Sequence, residues 1–165
     1  MRRSFGALAA SSLIALGGAN AAVITSDGAE SPYSYQEYAA AADRRPFLVE
    51  VRGVPFAGLT PVTFDPALMA ILQSARPSRP AATFTTSGDR PGMKPAYRLV
   101  LVFNPPRNLA HATQCQALDT VRPGDPTPGD VRVSVAFCRK TDLMSKAVAR
   151  TRAGGIDDPA FRQMF

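Results

Sequence analysis

Tryptophan is absent from this 165-residue chain, histidine occurs once (His111), cysteine twice (Cys115 and Cys138), and lysine three times against sixteen arginines. Each shortage narrows the field. Without Trp, the usual platform for stacking a sugar ring is missing. A histidine-based triad has only His111 to use, with a Ser and a carboxylate brought in from elsewhere. Two cysteines 23 positions apart contain no Cys-x-x-Cys, the arrangement that produces a low-pKa attacking thiolate. There is no Gly-x-Ser-x-Gly elbow, no Gly-x-x-x-x-Gly-Lys-Ser/Thr phosphate cradle and no Gly-x-Gly-x-x-Gly. The acids are scattered: Asp125 with Asp130, and Asp157 with Asp158, lie in turn-forming segments where Asp serves local hydrogen bonds, and no dense alternating acidic loop for calcium exists. No catalytic, cofactor-binding or metal-ligating set is assigned.

What is present begins with an address. Arg2 and Arg3 precede an apolar stretch of about a dozen residues, too short for the ~20 that span a bilayer, and Ala19-Asn20-Ala21 supplies the small residues that signal peptidase reads. Residues 1–21 are therefore expected to be a cleaved signal peptide, and no later segment is long and apolar enough to span. The Leu16-Gly17-Gly18-Ala19 sequence has Ala where a lipoprotein box carries its Cys, which leaves no thiol for a lipid. The remaining 144 residues would carry a net charge of +4 instead of +6. Leu, Ile, Val and Phe make up about 22% of them, just above the level below which highly charged chains stay disordered, so one modest folded domain is expected. The destination is the periplasm or the exterior, where two cysteines most often pair. A Cys115–Cys138 disulfide would close a loop worth about 3 kcal/mol in the chain-entropy model. The competing use of the same thiols, a zinc site with His111 placed four residues before Cys115, suits that compartment less well.

Hydrophobic periodicity then orders the chain. Residues 22–45 read as a flexible lead into an edge strand or short helix, carrying Tyr33, Tyr35 and Tyr38. Residues 47–52 alternate as a strand, with Phe47, Val49 and Val51 on one face. Asp65-Pro66 reads as a helix start before the stripe Leu68, Ile71, Leu72 and Ala75. A short strand at 83–86 precedes the run 97–103, apolar on both faces from Leu99 to Phe103 and hence central in a sheet. A helical stretch over 110–118 holds Cys115. The turn-rich loop 123–130 leads to a strand at 131–138 with Val131, Val133, Val135 and Phe137 on one face. Thr141 is read as the cap of a helix over 141–152, and Asp158-Pro159 starts a short terminal helix. The expected fold is α+β: a single domain over 46–165, with about four strands, mostly antiparallel, covered by two to four helices.

Basic residues gather late in the chain. Arg139, Lys140, Lys146, Arg150 and Arg152 surround the expected 141–152 helix, with Lys146 and Arg150 four apart, a spacing at which like charges repel. That pattern suits an anion-binding surface; the plainer reading is a solvated arginine-rich face. Export excludes nucleic acid as the partner and leaves an anionic envelope polymer, lipid headgroups or another envelope protein. With these elements in order, residues 49–56, 101–105 and 136–139 resemble small exported or lipoprotein-like bacterial envelope proteins of unknown function. That resemblance carries no catalytic residue; secretion, a single expected disulfide and the failure of every catalytic template point to a non-catalytic binding or assembly role. A hydrolase acting on an envelope polymer through His111 or a carboxylate is the alternative.

Overall fold

A computed structural model describes residues 22–165, and the signal-peptide reading of 1–21 lies outside the described residues. The chain runs β1 (Val23–Ala29), α1 (Tyr35–Ala42), β2 (Pro46–Arg52), α2 (Pro61–Ala75), β3 (Thr83–Thr85), β4 (Tyr97–Phe103), α3 (His111–Gln116), a single 3-10 turn (Leu118–Thr120), β5 (Val131–Arg139), β6 (Asp142–Thr151) and α4 (Pro159–Arg162). The architecture is α+β, with one mixed sheet in the order β1-β6-β5-β4-β2-β3. β2 runs parallel to both β3 and β4, and the remaining pairs are antiparallel.

Six strands replace the expected four, and the two additions are β1 and β6. The segment read as a helix over 141–152 is β6. Its Leu, Met, Lys, Ala and Arg content favours a helix by only tenths of a kcal/mol per residue. Pairing along the whole of β5 outweighs that preference, from Val131 opposite Thr151 to Arg139 opposite Asp142. The hairpin turns on Lys140 and Thr141, with Lys140 at φ 53°, a conformation that non-glycine residues seldom adopt. Its backbone N–H is held there by the Ala96 carbonyl at 2.6 Å. Once β6 is a strand its free edge takes β1, so the stretch expected as a lead supplies both an edge strand and the helix α1. Helix α2 also starts earlier than the Asp65-Pro66 signal. Thr60 and Thr63 form a reciprocal capping box with Pro61 at the first position, which places Pro66 inside the helix on its exposed side. Asp158 caps α4 as expected, accepting from the Ala160 N–H at 2.9 Å.

The two faces of the sheet are built differently. On one, α2 and α4 lay Phe64, Leu68, Leu72 and Phe161 against Val49, Leu101, Phe103, Val131 and Val133. Phe64 meets Phe103 edge to face at 5.1 Å, and Phe56 meets Phe161 at the same distance. At the end of this layer α1 adds a second cluster, in which Tyr33 and Tyr38 pack on Phe137. Tyr35 is exposed, with its hydroxyl on the Arg79 carbonyl. On the opposite face α3 and the 3-10 turn cover a smaller apolar centre of Val100, Val102, Leu118, Val121 and Ala136. β4 contributes to both layers, which is why it reads as apolar on both sides. No helix among the described residues is long and apolar enough to cross a membrane.

Candidate binding surface on the α3 face

Alternation along β5 sends Arg132, Ser134, Ala136 and Cys138 to the α3 face. Cys138 is joined there to Cys115, with 5.5 Å between their Cα atoms, and both residues are buried. Because α3 has only six residues, too few to stand alone in water, this covalent bond and the apolar centre beside it fix its position. The bond also settles the zinc alternative: neither thiol is free to ligate. Arg98 reinforces the junction by donating to the Cys115 carbonyl at 2.7 Å and the Lys140 carbonyl at 2.9 Å, with Glu50 2.9 Å from its Nε.

One turn before Cys115, His111 opens the helix on the side of a groove of about 570 Å³. Glu30, Pro32, Gln116, Leu143 and Lys146 also line it, and Lys146 is ion-paired to Glu30 at 2.7 Å. His111 Nδ1 lies 3.2 Å from Gln114 Nε2 and 3.3 Å from Ser134 Oγ, while Gln114 Nε2 donates to Ser134 Oγ at 2.7 Å. An amide nitrogen can only donate, so Nδ1 accepts and the ring proton sits on Nε2. Burial lowers the pKa of His111, Lys146 lowers it further, and Glu30 opposes both. The imidazole is therefore neutral at pH 7.

This geometry is not that of a nucleophile and its base. A triad histidine uses one ring nitrogen for the serine and the other for a carboxylate. Here Nδ1 faces both partners, the third group is an amide, and Ser134 is 2% exposed, out of reach of a substrate. Gln114 is fully buried, and its Oε1 has no hydrogen-bond partner among the described residues. The three side chains form polar packing between α3 and β5.

The basic residues singled out from the sequence separate on the structure. Arg139 bonds Glu37 at 2.7 Å and Asp142 at 3.3 Å, next to the Tyr97 hydroxyl on the same Glu37 oxygen. The Glu37 carboxyl is held below its usual range by those bonds, Arg139 first and then Tyr97. Lys146 pairs with Glu30, and Arg150 with Asp130 at 2.6 Å. Lys140 and Arg152 are exposed, at the turn before β6 and just past its end. The five do not share a helix face. Lys146 and Arg150 do share the α3 face of β6, with Val148 between them. Beside Arg150 the structure places two arginines that sequence reading passed over, Arg132 of β5 and Arg107 of the loop before α3. The alternation in β5 already put Arg132 on this face; what hid the cluster was the assignment of β6 as a helix.

Comparison with known proteins finds no matching family model, no matching curated protein and no matching solved structure.

Proposed function

We propose that this protein is an exported, non-catalytic binding or assembly factor of the cell envelope, and that its ligand is an anionic envelope polymer. The observation that carries this reading is the use of His111, the chain's one histidine, as a structural acceptor for Gln114 and buried Ser134 beside a disulfide that pins the same helix. A buried cystine supports an oxidising destination. The arginine content of the α3 face supports an anionic ligand, because guanidinium forks match oxyanions in geometry and stay charged at every physiological pH. The resemblance to small exported envelope proteins belongs to the same reading.

The test is sedimentation of the purified protein, cut at residue 21, with isolated envelope material carrying anionic polymer. Binding should be saturable and weaken as salt rises, since exposed charges are screened over about 10 Å at 0.1 M. Salt-independent retention or no retention overturns it. The competing reading, hydrolysis of that polymer, is favoured only by the placement of His111 on the groove wall. It requires release of soluble fragments that His111→Ala abolishes.

A further inference from the structure

Arg132 and Arg150 are directly opposite one another on β5 and β6, and both project to the α3 face. Like charges facing each other across a ladder destabilise a sheet. Asp130 partners Arg150, yet among the described residues neither Arg132 nor Arg107 has an ion-pair or side-chain hydrogen-bond partner. All three arginines line one depression of about 340 Å³, completed by Thr25, Asp130 and Val148. Arg132 is partly buried there, on a strand whose other side is core. Three arginines line the depression from a loop and two strands, and with Asp130 counted the lining carries an excess of two positive charges.

We propose that this depression is a phosphate-binding site, with Arg132 as its central ligand and Arg107 and Arg150 on its flanks. Forks arriving from three elements match the several equivalent oxygens of a phosphate group better than the two of a planar carboxylate. The two excess charges match a phosphate dianion. The like-charge opposition is then relieved when the anion enters between the arginines. The site stands on this geometry alone; that the phosphate is borne by an envelope polymer rests on the function proposed above.

The experiment is calorimetric titration of the purified 22–165 protein with inorganic phosphate, and with acetate at equal ionic strength. Phosphate should bind saturably at one site and acetate at least about tenfold more weakly. Arg132→Gln should weaken phosphate binding by about tenfold or more, as loss of a charge-assisted fork does. Lys140→Gln and Arg152→Gln should stay within about twofold, because neither lines the depression. Asp130→Asn should tighten binding, since it releases Arg150. Phosphate should raise the unfolding temperature of the wild type and not that of Arg132→Gln, whose own transition without phosphate should be no lower than wild type. Unsaturable phosphate binding, or equal loss in Lys140→Gln, overturns the site. In envelope sedimentation, displacement by free phosphate and loss in Arg132→Gln identify the polymer as the source. Calorimetric binding without either effect keeps the site and overturns the polymer as its ligand.

Discussion

The sheet has one face closed by aromatic packing and one face closed by a staple. Under α2 and α4 the buried side chains are large and apolar, with Phe64, Phe103 and Phe161 in mutual contact. Under α3 they are Val, Ala, Cys and a single buried Leu, Leu118, with a buried Gln114 and Ser134 among them. The first face gains its stability from area removed from water, at ~25 cal/mol per Å². The second has little such area, and a six-residue helix contributes almost none of its own. The covalent link does there what phenylalanines do on the other side. It also leaves the outer part of that face free for charge, so the groove beside His111 and the arginine depression both lie on it. A layer held by a bond can be polar; a layer held by hydrophobic area has to be covered.

Four measurements break or sharpen this contrast. Phe161→Ala, which empties a fully buried ring site on the aromatic face, should cost about 3–5 kcal/mol in denaturant unfolding. A loss under 1 kcal/mol would mean that this face does not carry the fold. Next, replacing both Cys115 and Cys138 by Ala should cost about 3 kcal/mol. Hydrogen exchange should locate the loosening in α3 and spare α2; uniform acceleration would show that the link staples the whole domain. Smaller again is Gln114→Met. It removes an amide whose Oε1 is orphaned and retains the volume, so stability should change by less than about 1 kcal/mol. A larger loss would make the polar trio, and not the disulfide, the fastener of α3.

The smallest effect is a dependence on pH. In the folded state the His111 pKa lies below its ordinary 6.5, through burial and Lys146, with Glu30 opposing and Asp142 also on the groove wall. The unfolded chain therefore takes up the proton first. This contribution is complete above pH 6.5 and is lost as pH falls towards the lowered value. His111→Gln should flatten the stability profile in that interval. Glu37, held low by Arg139 and Tyr97, acts in the same direction at more acid pH: its contribution is present above 4.5 and is lost on protonation. Unfolding curves of wild type and His111→Gln between pH 4 and 8 check the sign for His111, and an unchanged slope in His111→Gln would remove His111 from the account.

Legibility followed burial. β4 and β5 were readable because one is apolar on both faces and the other alternates cleanly, and the structure sets them side by side at the centre of the sheet. α4 was readable from Asp158-Pro159, since a cap is a local hydrogen bond. β1 was not readable as a strand of the sheet: six of its seven residues are exposed, so no side of it had to be apolar. β6 was misread because its residues suit a helix and its turn at Lys140 carries no Asn-Gly or Gly signal. The error propagated to the site. On a helix, Lys146 and Arg150 pointed to a basic stripe; on a strand, Arg150 faces Arg132 across the ladder, and the cluster includes Arg107 from a separate loop.

The sequence alone determined the α+β class, the pairing of the only two cysteines and the inward faces of the central strands. Those follow from composition and from spacing along the chain. Tertiary structure decided that 142–151 is a strand, that His111 is spent on Gln114 and Ser134, and which arginines meet. Each of these depends on what a strand or a helix start meets across the fold: β6 between β5 and β1, His111 against Ser134, and Arg150 opposite Arg132. Local propensities differ by tenths of a kcal/mol per residue, whereas a full ladder of backbone hydrogen bonds left unmade costs far more. The pairing partner therefore overrules the local preference, and it is visible only once the chain has folded.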